Sequence, residues 1–184
     1  LGPYSFVKMG ANFTRDNSEQ QEVASPDDSW EDAGEFESDT YSLSLEDEIT
    51  VTDWLSLVLG TSWDYYDPRK ADDQPAPDSD AVFHPQLGMV FTLSDATSIH
   101  ASVGKKTRFP HLKELYSTMS GGNPDLKPQK TTAYEIGITH EFTNRITGSV
   151  AYFYNDIEDL IQKTGDKSLN TVHYSNVAEA RIHG

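Results

Sequence analysis

Apolar residues recur at every second position along most of this chain. The clearest case runs from Thr132 to Phe142, where Tyr134, Ile136, Ile138 and Phe142 share one parity and Ala133, Glu135, Gly137, Thr139 and Glu141 the other. A period of two is the signature of a strand with one apolar and one polar face. Seven further segments follow it. Ser5 to Thr14 sets Val7, Met9, Ala11 and Phe13 against Lys8, Gly10 and Asn12. Ser38 to Val51 sets Tyr41, Leu43, Leu45, Ile49 and Val51 against Ser42, Ser44, Glu46, Glu48 and Thr50, with Asp47 breaking the apolar side. Trp54 to Tyr66 carries Leu55, Leu57, Leu59, Trp63 and Tyr65 on one side, and Val82 to Leu93 carries Phe83, Leu87, Met89, Phe91 and Leu93. Pro85 lies within that fourth strand and predicts a bulge or a loop-side end. The fifth strand holds Ile99, Ala101 and Val103, and the seventh Ile146, Val150, Tyr152 and Tyr154, with Phe153 on its polar side. The eighth, Thr171 to Ile182, places Val172, Tyr174, Ala178, Ala180 and Ile182 together.

The connections alternate in length. Arg15 to Phe36, Asp67 to Ala81 and Lys106 to Lys130 read as long polar loops, the last with a helical turn at Leu112 to Tyr116. A further loop is expected around Gly165-Asp166-Lys167-Ser168. Short turns lie at Thr52-Asp53, Ser94-Asp95-Ala96-Thr97 and Thr143-Asn144-Arg145. Sorting of loops by length is expected of a transmembrane barrel, whose two rims face different compartments. Aromatic residues gather at strand ends: Tyr65, Tyr66, Phe83, Tyr134, Tyr152 and Tyr154 toward the long loops, Trp54 and Phe142 toward the short turns. Two such groups predict girdles at two membrane interfaces. Alternation alone would equally suit a one-sided soluble sheet.

Composition narrows the chemistry. The 184 residues carry a net charge of -16, which excludes a nucleic-acid partner, since phosphate binding needs clustered Lys and Arg. There is no cysteine, hence no disulfide framework. No apolar run approaches the roughly 20 residues of a spanning helix, which leaves barrel strands open. No signal peptide is visible, both ends look cut, and the chain reads as a fragment.

Motifs for enzymatic chemistry are missing: there is no Gly-x-Ser-x-Gly elbow and no phosphate loop. Glu158 and Asp159 would face opposite sides of a strand, and Glu135 and Glu141 are too far apart to act on one bond. Two acidic clusters, Asp27, Asp28, Glu31 and Asp32 and then Asp72, Asp73, Asp78 and Asp80, are loop candidates for a cation. Solvated charge is the simpler explanation of both, and neither has EF-hand spacing. His84 and His100 could approach one another inside a lumen. The strongest candidates for ligand contact are Arg108, His111, Lys113, Tyr116 and Asn123, which combine cationic, aromatic and amide groups in one long loop. Their competing role is to end a strand and stiffen a loop.

The stretch GNPDLKPQKTTAYEIG resembles the loop-to-strand signature of TonB-dependent outer-membrane receptors. KTRFPHLKELY before it, SVAYFYNDIEDLIQ after it and YSNVAEARIHG at the end agree in order, and YSLSLEDEITVTDWLSLVLGTSWDYYD is similar to the family's strand pair around a short turn. The resemblance covers roughly Tyr41 to Gly184; Gln129 departs from it, the family more often having Glu there. It implies an all-β fold: an antiparallel transmembrane β-barrel segment, about eight strands of a barrel of about 22 filled by an N-terminal plug. It further implies residues 1–184 as part of that barrel without plug or signal peptide, placed in the outer membrane of a Gram-negative bacterium. The implied partners are outer-membrane lipid, a small nutrient ligand (an iron-siderophore, haem, cobalamin or glycan) and TonB, reached through an N-terminal part of the parent protein. No cofactor and no catalysis are implied. The alternatives are a passive porin-like barrel and a soluble β-sandwich binding carbohydrate through Trp30, Trp54 or Trp63.

Overall fold

The computed structural model describes residues 4–22, 31–117, 121–165 and 172–184, with the side chains of 20–22 and 31–33 outside that description. One eight-stranded antiparallel sheet in sequence order makes up nearly all of it. The strands are β1 (Tyr4–Glu22), β2 (Glu31–Thr52), β3 (Leu55–Ala71), β4 (Asp80–Ser94), β5 (Thr97–Arg108), β6 (Gln129–Thr143), β7 (Ile146–Thr164) and β8 (His173–His183), with one helix, α1 (Leu112–Tyr116), between β5 and β6. The sheet is open, and pairing runs only between neighbours in sequence. Every expected strand is present, and α1 coincides with the expected helical turn.

The register lines up the apolar parities. Met9 faces Leu45, Leu45 sits beside Thr61, and Leu57, Met89, Ala101 and Ile136 form one row across β3 to β6. Among the described residues that face has no second layer. Met9 is 84% exposed, and Phe83, Leu93, Phe142 and Val150 are each more than half exposed. A soluble sandwich would pack such a face against a second sheet; among the described residues none lies over it. Water would charge heavily for this surface, whereas a bilayer solvates it.

Three short turns share one construction. At each, the last pairs step over one residue of the incoming strand, namely Val51, Leu93 or Phe142, before a two-residue turn. Ser94 Oγ accepts from Ala96 N–H at 3.3 Å and Thr143 Oγ1 from Arg145 N–H at 3.3 Å, the local side-chain-to-backbone bonds that favour turns. Neighbouring hairpins are tied by Thr92 N–H to Trp54 O and Glu141 N–H to Ala96 O.

Strand lengths at the opposite rim correct the sequence reading. Arg15 to Phe36 is not all loop: β1 continues to Glu22 and β2 begins at Glu31. β3 likewise runs on to Ala71, β4 starts at Asp80, and β6 starts at Gln129. These extensions carry polar residues on both faces, so no period of two marks them. Cross-strand pairs hold them instead. Arg15 clamps Asp39 through two nitrogens at 2.7 and 2.9 Å, and Arg69 reaches the same carboxylate at 3.3 Å. Lys70 pairs with Glu35 across the same strands.

β8 corrects a parity. Ile182 pairs with Asn155 and Ala180 with Ile157, so the even residues of β8 share the face of Asn155 and the buried Ile157, not the apolar face. His183 pairs with Tyr154, at the level of the aromatic row. The described part of β8 lies beyond that row, where neither face need be apolar. Thr171 is outside the described residues.

Pro85 meets its expectation in part. The β3–β4 register passes through it unshifted, opposite Thr61, while β4–β5 pairing starts only at Gln86 and Gly104. Beyond that point β4 follows β3 and β5 follows β6, so the sheet splits.

Candidate functional site

The polar face near the long-loop rim carries a buried apolar cluster. Phe36, Ala71, Leu112, Leu115, Leu126 and Ile161 pack together, with Tyr116 and Tyr174 against them. The β5–β6 connection thus folds back over the sheet and joins β2 and β3 to β7 and β8. Tyr66 supports it from below. It stacks on Phe109 at 5.0 Å with planes 11° apart, and its hydroxyl donates to Pro110 O at 3.5 Å. Tyr66 is therefore on the polar face and does not belong to the girdle assigned to it from sequence. The outer row consists of Phe13, Tyr41, Tyr65 and Trp63, ring to ring at 5.1 to 6.3 Å. Tyr134 and Tyr154 continue it at 6.2 Å, and Trp54 stacks with Phe91 near the short turns.

Inside this loop the five candidate residues part company. Arg108 donates to the buried Glu114 at 2.7 Å, and the second oxygen of Glu114 caps His111 N–H at 2.9 Å. This carboxylate closes the first turn of α1 and neutralises Arg108. Arg108 Nη1 is buried with no hydrogen-bond partner among the described residues. Tyr116 packs on the apolar cluster. Asn123 is fully engaged: its amide donates to Tyr174 O at 3.0 Å, and its oxygen accepts from Asp125 N–H at 3.0 Å in an Asx-turn. His111 and Lys113 are exposed. Both line a polar cavity of about 210 Å³ with Asp16, Asn17, Ser18, Ser38, Phe36 and Leu112, and His111 Nδ1 lies 3.2 Å from Asp16 Oδ2.

Sequence reasoning missed three residues that build this site. Asp16 lay in a stretch read as loop. Glu114 had a signal, since it stands three residues after the helix-entry residue His111, the spacing of a capping box. Asn176 had none. Its amide donates to Lys127 O at 3.0 Å and to Asp159 O at 2.8 Å, while its oxygen accepts from Lys127 N–H at 2.9 Å. That amide acts as a short piece of strand against the loop. Asp159 holds a left-handed backbone (φ 53°) at this point, so β7 is irregular there.

Below the loop the polar face forms a wider trough of about 690 Å³, with Ser44, Gly60, Ser62, Gln86 and Gly104 along it. Lys8 bridges Glu46 at 2.9 Å and Glu48 at 3.7 Å. His84 and His100 do not meet. His100 pairs with Val90, six residues along β4 from His84, and approaches Glu135 at 3.3 Å. His84 Nε2 accepts from Thr107 N–H at 2.9 Å across the split between β4 and β5, with Asp64 Oδ2 3.3 Å from its other nitrogen.

Of the acidic candidates, Asp27 and Asp28 lie outside the described residues, and of Glu31 and Asp32 only the backbone is described, in β2. Among the described residues no three His, Asp or Glu side chains converge as a metal site would need, Asp72, Asp73, Asp78 and Asp80 included. Trp30 is outside the described residues, and Trp54 and Trp63 lie in the two aromatic rows.

Comparison with known proteins agrees with this architecture. The family model described as TonB dependent receptor-like, beta-barrel, matches residues 1–184. The Vitamin B12 transporter BtuB of Vibrio vulnificus (strain CMCP6) is 35% identical over 75 residues, 41% of this chain and 11% of that protein. The siderophore receptor PirA from Pseudomonas aeruginosa superposes with a TM-score of 0.72 at 18% identity, over 98% of this chain and 32% of its own. The copper transporter OprC does so at 0.76 and 18%, over 98% and 31%. The chain thus spans about a third of those two structures, which share its fold. An unsealed sheet, an uncovered apolar face, two aromatic rows and this full-length family match make the chain a member of the TonB-dependent receptor family, from its β-barrel.

Proposed function

We propose that this chain is a wall segment of an outer-membrane receptor that binds a scarce nutrient at its outer rim. Import would draw on energy delivered by TonB through another part of the parent protein. The observation that carries this reading is the β5–β6 loop, folded inward over the polar face beside a polar cavity that holds His111 and Lys113. A passive pore has no need to brace a loop in this way. The ligand class is an iron-siderophore, haem, cobalamin or glycan, and the setting is the outer membrane of a Gram-negative bacterium, with lipid against the apolar face.

Within the site the five candidates take different parts. Lys113 and His111 offer a cation and an imidazole to the ligand. Arg108 stands behind them, paired with Glu114, and fixes the start of α1. Tyr116 and Asn123 hold the loop in shape.

The test uses the full-length receptor in native outer membranes, screened against labelled ligands of the four classes. Lys113→Ala is expected to weaken binding of the cognate ligand about tenfold, the loss of one charged contact. Uptake should stop when TonB is deleted while binding persists. Unchanged binding in a Lys113→Ala, His111→Ala double variant would remove these residues from the site. Uptake that survives TonB deletion would favour a passive barrel.

A further inference from the structure

One buried histidine stands where a strand partner is missing. β4 and β5 pair from Gln86 and Gly104 toward their short turn, and part on the other side of that level. Thr107 of β5 lies beyond the last β4–β5 pair, so its N–H has no β4 carbonyl to meet. It donates instead to His84 Nε2 at 2.9 Å. The imidazole, buried at 8% exposure, replaces a ladder acceptor across the split.

That bond fixes the proton on the ring. A backbone N–H only donates, so Nε2 carries no hydrogen while the bond stands, and the neutral ring carries its hydrogen on Nδ1. Two acceptors from β3 await it, Ser62 Oγ at 3.2 Å and Asp64 Oδ2 at 3.3 Å. A second proton would go to Nε2 and set donor against donor, which ends the bond to Thr107. Asp64 would then remain as the counter-charge of the imidazolium. Other charges line the same trough. Lys8 of β1 is paired with Glu46 of β2, while Lys105 and Lys106 bring positive charge from β5. Arg108 of β5 is held by Glu114, and β4 carries no charged residue from Ala81 to Ser94.

The clasp sits at the root of the long loop. Thr107 is followed by Arg108 with its bond to Glu114, by Phe109 stacked on Tyr66, and then by α1 with His111 before it and Lys113 within it. The loop's root is thus tied to β3 through Tyr66 and across the split to β4 through His84.

We propose that His84 is a positioning residue for the outer-rim site: neutral, it clasps the root of the β5–β6 loop to β4, and protonated, it lets that root go. Its bearing on ligand rests on the rim reading given above; the clasp itself does not. Histidine is the side chain whose charge ordinarily changes between about pH 5 and 8. Because the bond needs a bare Nε2, the clasp is closed at the alkaline end of that range and opens as pH falls.

The test is amide hydrogen exchange of the purified full-length receptor in lipid nanodiscs, corrected for the chemical rate at each pH, with His84 intact, His84→Gln or His84→Ala. Glutamine offers an oxygen to Thr107 and an amide to Asp64 but takes up no proton in this range. In the parent, exchange within residues 105–108 should rise about tenfold from pH 8 to pH 5, about the worth of one hydrogen bond. His84→Gln should stay slow throughout and His84→Ala fast throughout, with residues 111–116 following in the same order at smaller amplitude. A parent without the acid rise, or a rise that persists in His84→Gln, would overturn the proposal. So would residues 111–116 indifferent to what stands at position 84, since the clasp would then position nothing. Should His84→Ala fail to assemble, the parent and His84→Gln decide the matter. No ligand enters these measurements, so a Lys113→Ala receptor with undiminished binding would count against the rim site and not against the clasp.

Discussion

Single polar side chains fix the loop over the polar face, and most of them were hard to see in advance. Asn123, in a Gly-Asn-Pro-Asp stretch, announces a turn by composition, and it forms one. Asn176 looks like any strand asparagine. Its contacts with Lys127 and Asp159 join residues far apart in the chain, which no local pattern encodes. Removing that amide leaves the Lys127 N–H and two carbonyls without their partner. Asn176→Ala is therefore expected to cost about 1–3 kcal/mol locally, the penalty for orphaned polar groups reduced where water can replace the partner. Limited proteolysis of the full-length receptor should then cut faster within residues 121–128, while the strands stay protected. Equal cleavage would assign the loop's order to the apolar cluster alone.

At the scale of elements, strands inside the apolar band were legible and their extensions were not. Leu55, Leu57 and Leu59 alternate because they lie on one apolar face of the sheet. Beyond Tyr41 and Tyr65 both faces carry polar residues and no period of two remains, and β1 to β3 persist through backbone ladders, cross-strand charges and the contacts of Phe36 and Ala71 in the apolar cluster. The same reason misplaced the faces of β8, whose described residues lie past the aromatic row. The extension centres on Asp39, whose side chain is fully covered by Arg15 and Arg69. The Arg15 hydrogen bond holds the Asp39 carboxyl below its ordinary value, with burial opposing and the nearby positive charges adding to the effect. Because the folded value is depressed, the stabilisation is complete above the ordinary carboxylate value and is lost as pH falls through the lowered one. Hydrogen exchange at residues 13–19 and 35–41 of the full-length receptor should thus accelerate below about pH 4. Asp39→Asn should exchange fast at every pH. An acid response unchanged in Asp39→Asn would place its origin elsewhere.

The whole molecule is half of a design whose other half is solvent. Its buried apolar residues are few and sit at one rim, while its largest apolar side chains lie on an uncovered face. Loop sorting and aromatic rows made that legible from sequence, because both are expected of a barrel strand set in a bilayer. What stayed illegible was the split at Pro85 and the inward fold of the long loop, since both depend on which distant side chains meet. The proposed setting puts lipid against one face and water against the other, and β6 tests it in the fewest residues. The chain has no native cysteine to interfere. Single cysteines from Ala133 to Thr139, placed in the full-length receptor in native outer membranes, would be challenged with a lipid-soluble and a water-soluble thiol reagent. Strict alternation is expected: Tyr134, Ile136 and Ile138 labelled from lipid, Ala133, Glu135, Gly137 and Thr139 from water. Uniform labelling by the water-soluble reagent along the strand would contradict it.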